Sequence, residues 1–144
     1  MKLSGAEANS FLAKPDPAIA GILIFGADAM RVALKRQEAI AAIIGPQGEG
    51  EMRLTRLQGA DIRKSPAPVF DASREIGFFS GPRVVFVEEA TDGVTDSLAS
   101  VLTEWRTGDA QIVVTAGDLK GKSALKTLFE KHLRAICIEL KNTP

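Results

Sequence analysis

Glu88 and Glu89 close a run of four apolar residues, Val84-Val85-Phe86-Val87. A buried strand that ends in acids is the layout with which ATPases hold magnesium and activate water. That chemistry needs a triphosphate. A triphosphate in turn needs a loop of glycines whose successive N–H groups curl round it, with a Lys at the start of the next helix. The corresponding turn here is Phe25-Gly26-Ala27-Asp28-Ala29-Met30-Arg31. It offers one Gly and no Lys, and it sets a carboxylate at the positive end of the helix dipole, where phosphate is repelled. The G-x-G-x-x-G pattern is absent too. Nucleotide binding is therefore not expected at this turn, and Glu88 and Glu89 read as a strand leaving the core into solvent. Asp28, Glu88 and Glu89 are only a faint match to the acidic cluster of a receiver-like phosphoacceptor domain.

Other reactive side chains are scattered. His132 is the only histidine and Cys137 the only cysteine. Neither stands in a cluster with metal-ligand spacing, so no metal or cofactor is expected. His132 falls near the end of a basic helix, where a cationic ring suits the dipole. Cys137 lies between Ile136 and Ile138 and reads as a small core residue; a Cys–His nucleophilic pair would need it exposed. There is no G-x-S-x-G elbow and no catalytic constellation. Lys120 and Lys122 flank Gly121 just before a helix, and with Lys126, Lys131 and Arg134 they make the region from Lys120 to Arg134 locally basic. This stretch either touches a phosphate backbone or is a solvated helix face.

The most unusual stretch is Glu75-Ile76-Gly77-Phe78-Phe79-Ser80-Gly81-Pro82-Arg83. Adjacent residues point about 100° apart on a helix and to opposite faces of a strand, so two neighbouring rings do not easily share one pocket. Either both fill the seam between the preceding helix and the sheet, or one is exposed as an anchor for a partner protein.

The elements that must position these residues follow from patterning. Ser4 and Glu7 form a helix-start pair ahead of a helix over about Gly5 to Ala13, with Phe11 and Leu12 inward. Gly21 to Phe25 is a continuous apolar run, as expected of a strand covered on both faces. Asp28 caps a helix from about Ala29 to Ile44, with Val32, Ala33, Gln37, Ile40 and Ile44 at helical spacing. Met52 to Leu57 alternates with period two and reads as a half-exposed or edge strand. Helices follow from Ser65-Pro66-Ala67, with Pro at or near the first turn, to about Glu75, and over about Asp92 to Thr103 and Ser123 to His132. Strands follow at Val84 to Val87, Ala110 to Thr115 and Ala135 to Leu140. Strands alternating with helices predict an α/β fold, a doubly wound, mostly parallel five-stranded sheet flanked by helices.

Composition agrees with one domain. The 144 residues carry 18 Lys+Arg against 18 Asp+Glu, and the zero net charge argues against a dominant nucleic-acid surface. A single Cys forbids an internal disulfide and fits a reducing cytoplasm. No stretch has the length and apolarity of a membrane span, and the start lacks the layout of a signal peptide.

In order and spacing, four features resemble the N-terminal domain of delta subunits of the bacterial DNA polymerase III clamp loader. They are the strand into Phe25-Gly26-x-Asp28, the junction Phe78-Phe79-Ser80-Gly81-Pro82-Arg83-Val84-Val85, the Ile112-Val113-Val114 strand, and Gly117-Asp118-Leu119-Lys120-Gly121-Lys122-Ser123. The resemblance implies an AAA+-like (P-loop NTPase-like) fold without a functional phosphate loop, spanning residues 1–144 of a longer subunit, with 141–144 starting a linker. It implies no catalysis of its own. The chain would serve the DNA polymerase III holoenzyme, a DNA-directed DNA polymerase and so a nucleotidyltransferase, in the bacterial cytoplasm at the nucleoid replisome.

The implied partner is the ring-shaped sliding clamp, the beta subunit, which the domain binds and helps open for loading onto primed DNA. Other clamp-loader subunits would be met through further domains, including a helical collar. DNA would be contacted weakly, with Lys120 and Lys122 as the backbone candidates, and no membrane is involved. The implied clamp-binding residues are Phe78 and Phe79, on a turn shaped by Gly77, Ser80, Gly81 and Pro82. The family usually has Leu then Phe, so Phe78 departs from it while staying apolar. The competing class is a catalytic or regulatory nucleotide-binding α/β domain, P-loop-like or receiver-like.

Overall fold

Gly21–Phe25 (β2) is buried along its whole length because it is central: strands pair with it on both sides and helices cover both faces. The computed structural model describes residues 1–46, 48, 50, 53–75, 81–119 and 121–140. Around β2 stand Lys2–Leu3 (β1), Leu54–Gln58 (β3), Val84–Ala90 (β4), Gln111–Ala116 (β5) and Ala135–Glu139 (β6). Their order is β1-β6-β2-β5-β4-β3, and every pairing is parallel. The sheet thus has six strands where five were expected. The extra one, β1, is two residues long and pairs Lys2 with Cys137 and Leu3 with Ile138. Two residues carry no periodicity, so no pattern announces it. β3 is an edge strand, as its alternation predicts, although it runs to Gln58, and Met52 lies outside the described residues.

The helices divide between the faces. Gly5–Ala13 (α1) and Ala29–Ile44 (α2) cover one, packing on Ile22, Ile24, Phe86, Val113 and Ile138. Ala67–Arg74 (α3), Thr95–Glu104 (α4) and Ala124–Lys131 (α5) cover the other, around Leu23, Phe25, Val85, Ile112 and Val114. This is the doubly wound arrangement expected from the alternation of elements. On α2 the inward set is Val32, Ala39, Ile40 and Ile44; Gln37, expected on that stripe, is exposed. Among the described residues no helix is long and apolar enough to cross a membrane.

Cys137 is fully buried on β6 at the centre of the second core. Burial, with Glu130 nearby, pushes its thiol up to about 12. The thiolate is the reactive form, so the native protein is expected to resist alkylation near pH 8 and to label at once in denaturant. Mass spectrometry after an iodoacetamide pulse checks this; rapid native labelling would place Cys137 at the surface.

Candidate functional site

In a parallel sheet all strands start along one edge, and here that edge is tied together by two arginines. Arg83, one residue before β4, donates from Nη1 to the carbonyl of Glu75, which follows α3. Its Nη2 donates to the Gly108 carbonyl, in the turn ahead of β5, at 3.1 Å. Arg53, just before β3, donates from Nη1 to the Pro82 carbonyl at 2.9 Å. The end of α3 is anchored as well: the Ala110 amide donates to the Ser73 carbonyl at 2.9 Å, and Arg74 donates to the Glu104 carbonyl at 3.3 Å while lying 3.8 Å from the Asp109 carboxylate.

The anchored carbonyls of Glu75 and Pro82 thus stand on either side, in the chain, of the stretch that carries the Phe pair. Ile76, Gly77, Phe78, Phe79 and Ser80 themselves lie outside the described residues. Gly81 and Pro82 are described and exposed. Gly81 has φ of +136°, and a Cβ there would stand 3.1 Å from Arg53 Nη1. A side chain at this position is strained whatever the space, which gives the turn-shaping expectation for Gly81 a physical reason. Sequence reasoning missed Arg53 and Gly108. No local pattern reveals them, because their partners are 29 and 25 residues away.

The opposite edge of the sheet holds a cleft of about 330 Å³, lined among others by Gly26, Ala29, Val32, Arg36, Glu88 and Thr115. The chain leaves β2 toward β3 and leaves β5 in the other direction, toward β6. The cleft therefore lies at the topological switch point, where open α/β sheets bind ligands. Its walls are ill suited to phosphate. A Cβ on Gly26 would come 2.6 Å from the Leu140 carbonyl oxygen, so the turn's one Gly serves close packing of backbone. Asp28 Oδ1 accepts from the amides of Met30 at 3.1 Å and Arg31 at 3.3 Å, which occupies donors a phosphate would need.

The expectation for Glu88 and Glu89 holds for Glu89, which is exposed, and requires correction for Glu88. The strand does not leave the core at these residues: β4 continues to Ala90, which is buried, with its register shifted between Val87 and Ala90. Glu88 is half-buried and accepts from Gln58 Nε2 at 2.5 Å, while Glu89 takes a φ of +55°. Both line the cleft. With donors consumed and acids on the wall, Mg-ATP at 1 mM is expected to leave the melting temperature unchanged, since a ligand stabilises only the state it binds. A saturable rise in a thermal-shift titration would reverse this reading of the cleft.

Lys120 lies outside the described residues, and Lys122 is exposed. The start of α5 already holds an anion, because Asp92 Oδ1 accepts from Ser123 Oγ at 2.5 Å and from the Leu125 amide at 3.1 Å. His132 follows α5, and its Nδ1 accepts from the Arg134 amide at 3.1 Å. Burial, then the charge of Arg134, lowers its pKa. The ring therefore acts as a neutral acceptor at the helix end, not as the cation that its position suggested. Among the described residues no group of three or more His, Cys, Asp or Glu is placed to hold a metal ion.

No family model and no curated protein matches the chain. Solved structures do. The chain is similar to the Bacillus subtilis DNA clamp loader delta protein, with a TM-score of 0.69 at 13% identity, over 94% of this chain and 42% of that one. It is also similar to a DNA polymerase III gamma-subunit-related protein from Thermotoga maritima, with a TM-score of 0.57 at 15% identity, over 88% of this chain and 42% of that one. The chain thus spans less than half the length of either protein. The fold is the AAA+-like α/β fold of clamp-loader subunits, as the resemblance implied.

Proposed function

We propose that this chain is the clamp-binding domain of a clamp-loader delta subunit, which binds the replicative sliding clamp and helps open it. The observation that carries this reading is the fold similarity to a clamp loader delta protein over 94% of the chain. The two anchored carbonyls, of Glu75 and Pro82, support it further. These two carbonyls precede and follow, in the chain, the stretch that contains Phe78 and Phe79, and both are tied at the strand-start edge of the sheet. In this role the Phe pair enters an apolar pocket on the clamp, with Gly77, Ser80, Gly81 and Pro82 shaping the turn. The domain acts without catalysis of its own, in the bacterial cytoplasm, beside other clamp-loader subunits. DNA is met weakly, through Lys120 and Lys122.

Gel filtration of the chain with a purified bacterial sliding clamp tests the proposal. Co-elution supports it. Two separate peaks at tens of micromolar of each protein would end it. Arg83 supplies a graded check. Arg83→Ala frees the α3 end from the start of β4, so it should weaken clamp binding by about tenfold, the scale of one lost charge-assisted hydrogen bond. The effect should appear chiefly as a larger dissociation constant, with Arg83→Lys recovering little, because one ammonium cannot span both the Glu75 and Gly108 carbonyls.

A further inference from the structure

Phe86 carries two guanidinium groups on its ring. Arg36, from α2, lies 4.8 Å from the ring centroid, and Arg56, from β3, lies 5.7 Å from it. The register explains the second: Arg56 is the direct neighbour of Phe86 across the β3–β4 pair, so both project from the same face. Two like charges beside one buried ring repel each other, and among the described residues neither is ion-paired to a carboxylate. Two described acids near the groove have other partners. Glu38, on α2, lies 3.5 Å from Lys35 Nζ, and Glu88 accepts from Gln58. Arg36 Nε is buried without a hydrogen-bond partner.

Beside Arg36 a second cleft of about 200 Å³ opens, walled by Gln37, Ile40, Ile44, Pro46 and Leu54. β3 forms its far bank and is the last strand of the sheet, so among the described residues no further strand pairs with its outer N–H and C=O groups. Apolar cleft, paired cations and open strand edge adjoin one another.

We propose that this groove between α2 and β3 binds an extended peptide segment of another protein, one that places an Asp or Glu beside a Leu, Ile or Phe. The backbone of such a segment adds to the edge of β3, its apolar side chain enters the cleft, and its carboxylate lies against Arg36 and Arg56. Strand addition of this kind draws affinity from main-chain hydrogen bonds and selectivity from alternate side chains. A carboxylate suits this place, since an ion joining two otherwise repelling guanidinium groups makes charge-assisted hydrogen bonds with both. An apolar cleft beside the charges favours a peptide over a nucleic-acid backbone.

The test pans a phage-displayed library of random linear heptapeptides on the full chain and measures a synthetic copy of the enriched peptide by isothermal titration. A ten-residue oligo-dT runs in parallel. The expected result is enrichment of peptides pairing an acid with an apolar neighbour. Affinity should fall at least tenfold in Arg56→Glu, with amide shifts in NMR along residues 54–58. Arg56 is exposed, so this variant is expected to fold, and its melting temperature verifies that; Arg36→Gln supplies a second variant. Clamp binding should be unchanged in both. Enrichment without acids, no enrichment, an Arg56→Glu variant that binds the peptide as the parent does, or oligo-dT as the only ligand lost would each overturn the proposal.

Discussion

Phe78→Ala/Phe79→Ala is expected to abolish clamp binding while leaving the domain folded. A buried aromatic anchor contributes about 2–4 kcal/mol at an interface, so losing one weakens binding by roughly 30- to 1000-fold. Loss of both should take the complex below detection at micromolar concentrations. The melting temperature should stay within a few degrees of the parent, because the α3 end and the β4 start are held by groups outside the pair. These are the Arg83 and Arg53 bonds and the Ser73–Ala110 backbone bond. The opposite outcome is equally concrete. If the rings filled the seam between α3 and the sheet, each truncation would cost about 3–5 kcal/mol of stability. A double mutant that melts far below the parent, or that folds and still binds the clamp as tightly, would remove the assignment of these two residues. Calorimetry and clamp titration on the same preparation separate the cases.

The parts of the fold legible in the sequence are those whose burial is two-sided or periodic. Val84 to Val87 and Gln111 to Ala116 lie between helices on both faces and so read as apolar runs. Asp28 could be recognised as a cap because its partners, Met30 and Arg31, are two and three residues on. What was hidden depends on residues far apart in the chain. β1 exists only because β6 offers an edge to Lys2 and Leu3. Gln111, a polar residue at the start of β5, is buried, and its Nε2 donates to the Asp16 and Ile19 carbonyls, each at 2.9 Å, contacts that no local pattern announces. The candidate site divides in the same way. Phe78, Phe79 and Gly81 could be singled out from local spacing, whereas the Arg53 bond to Pro82 spans 29 residues and leaves no trace in composition. Glu88 is half-buried where its pattern suggests exposure, since the continuation of β4 past it, with a shifted register, depends on the neighbouring strand.

Phe129→Ala is expected to be the most damaging single truncation of an aromatic side chain on the helix-rich face of the sheet. Phe129 is fully buried where α5 meets the start of β2, among Leu102, Leu125, Ala135 and Cys137. Removing the ring should cost about 3–5 kcal/mol and lower the melting temperature by about 10–20 °C for a domain of this size. Gly21 makes the prediction sharper than a cavity argument alone. A Cβ at Gly21 would stand 2.7 Å from Leu102 Cδ2 and 3.0 Å from Phe129 Cε2, so the glycine is there to admit those two side chains. In the parent, Gly21→Ala should therefore overpack this corner and cost about 1–3 kcal/mol. In the Phe129→Ala background the new methyl meets space where the ring stood, and only Leu102 has to give way. The two substitutions should be non-additive, with the double mutant more stable than the sum of the single losses by at least about 0.5 kcal/mol. Denaturant melts of the four proteins measure the coupling. Strict additivity would mean that the α5 ring and the β2 backbone do not meet, and with them would go the packing that seats α5 against the centre of the sheet.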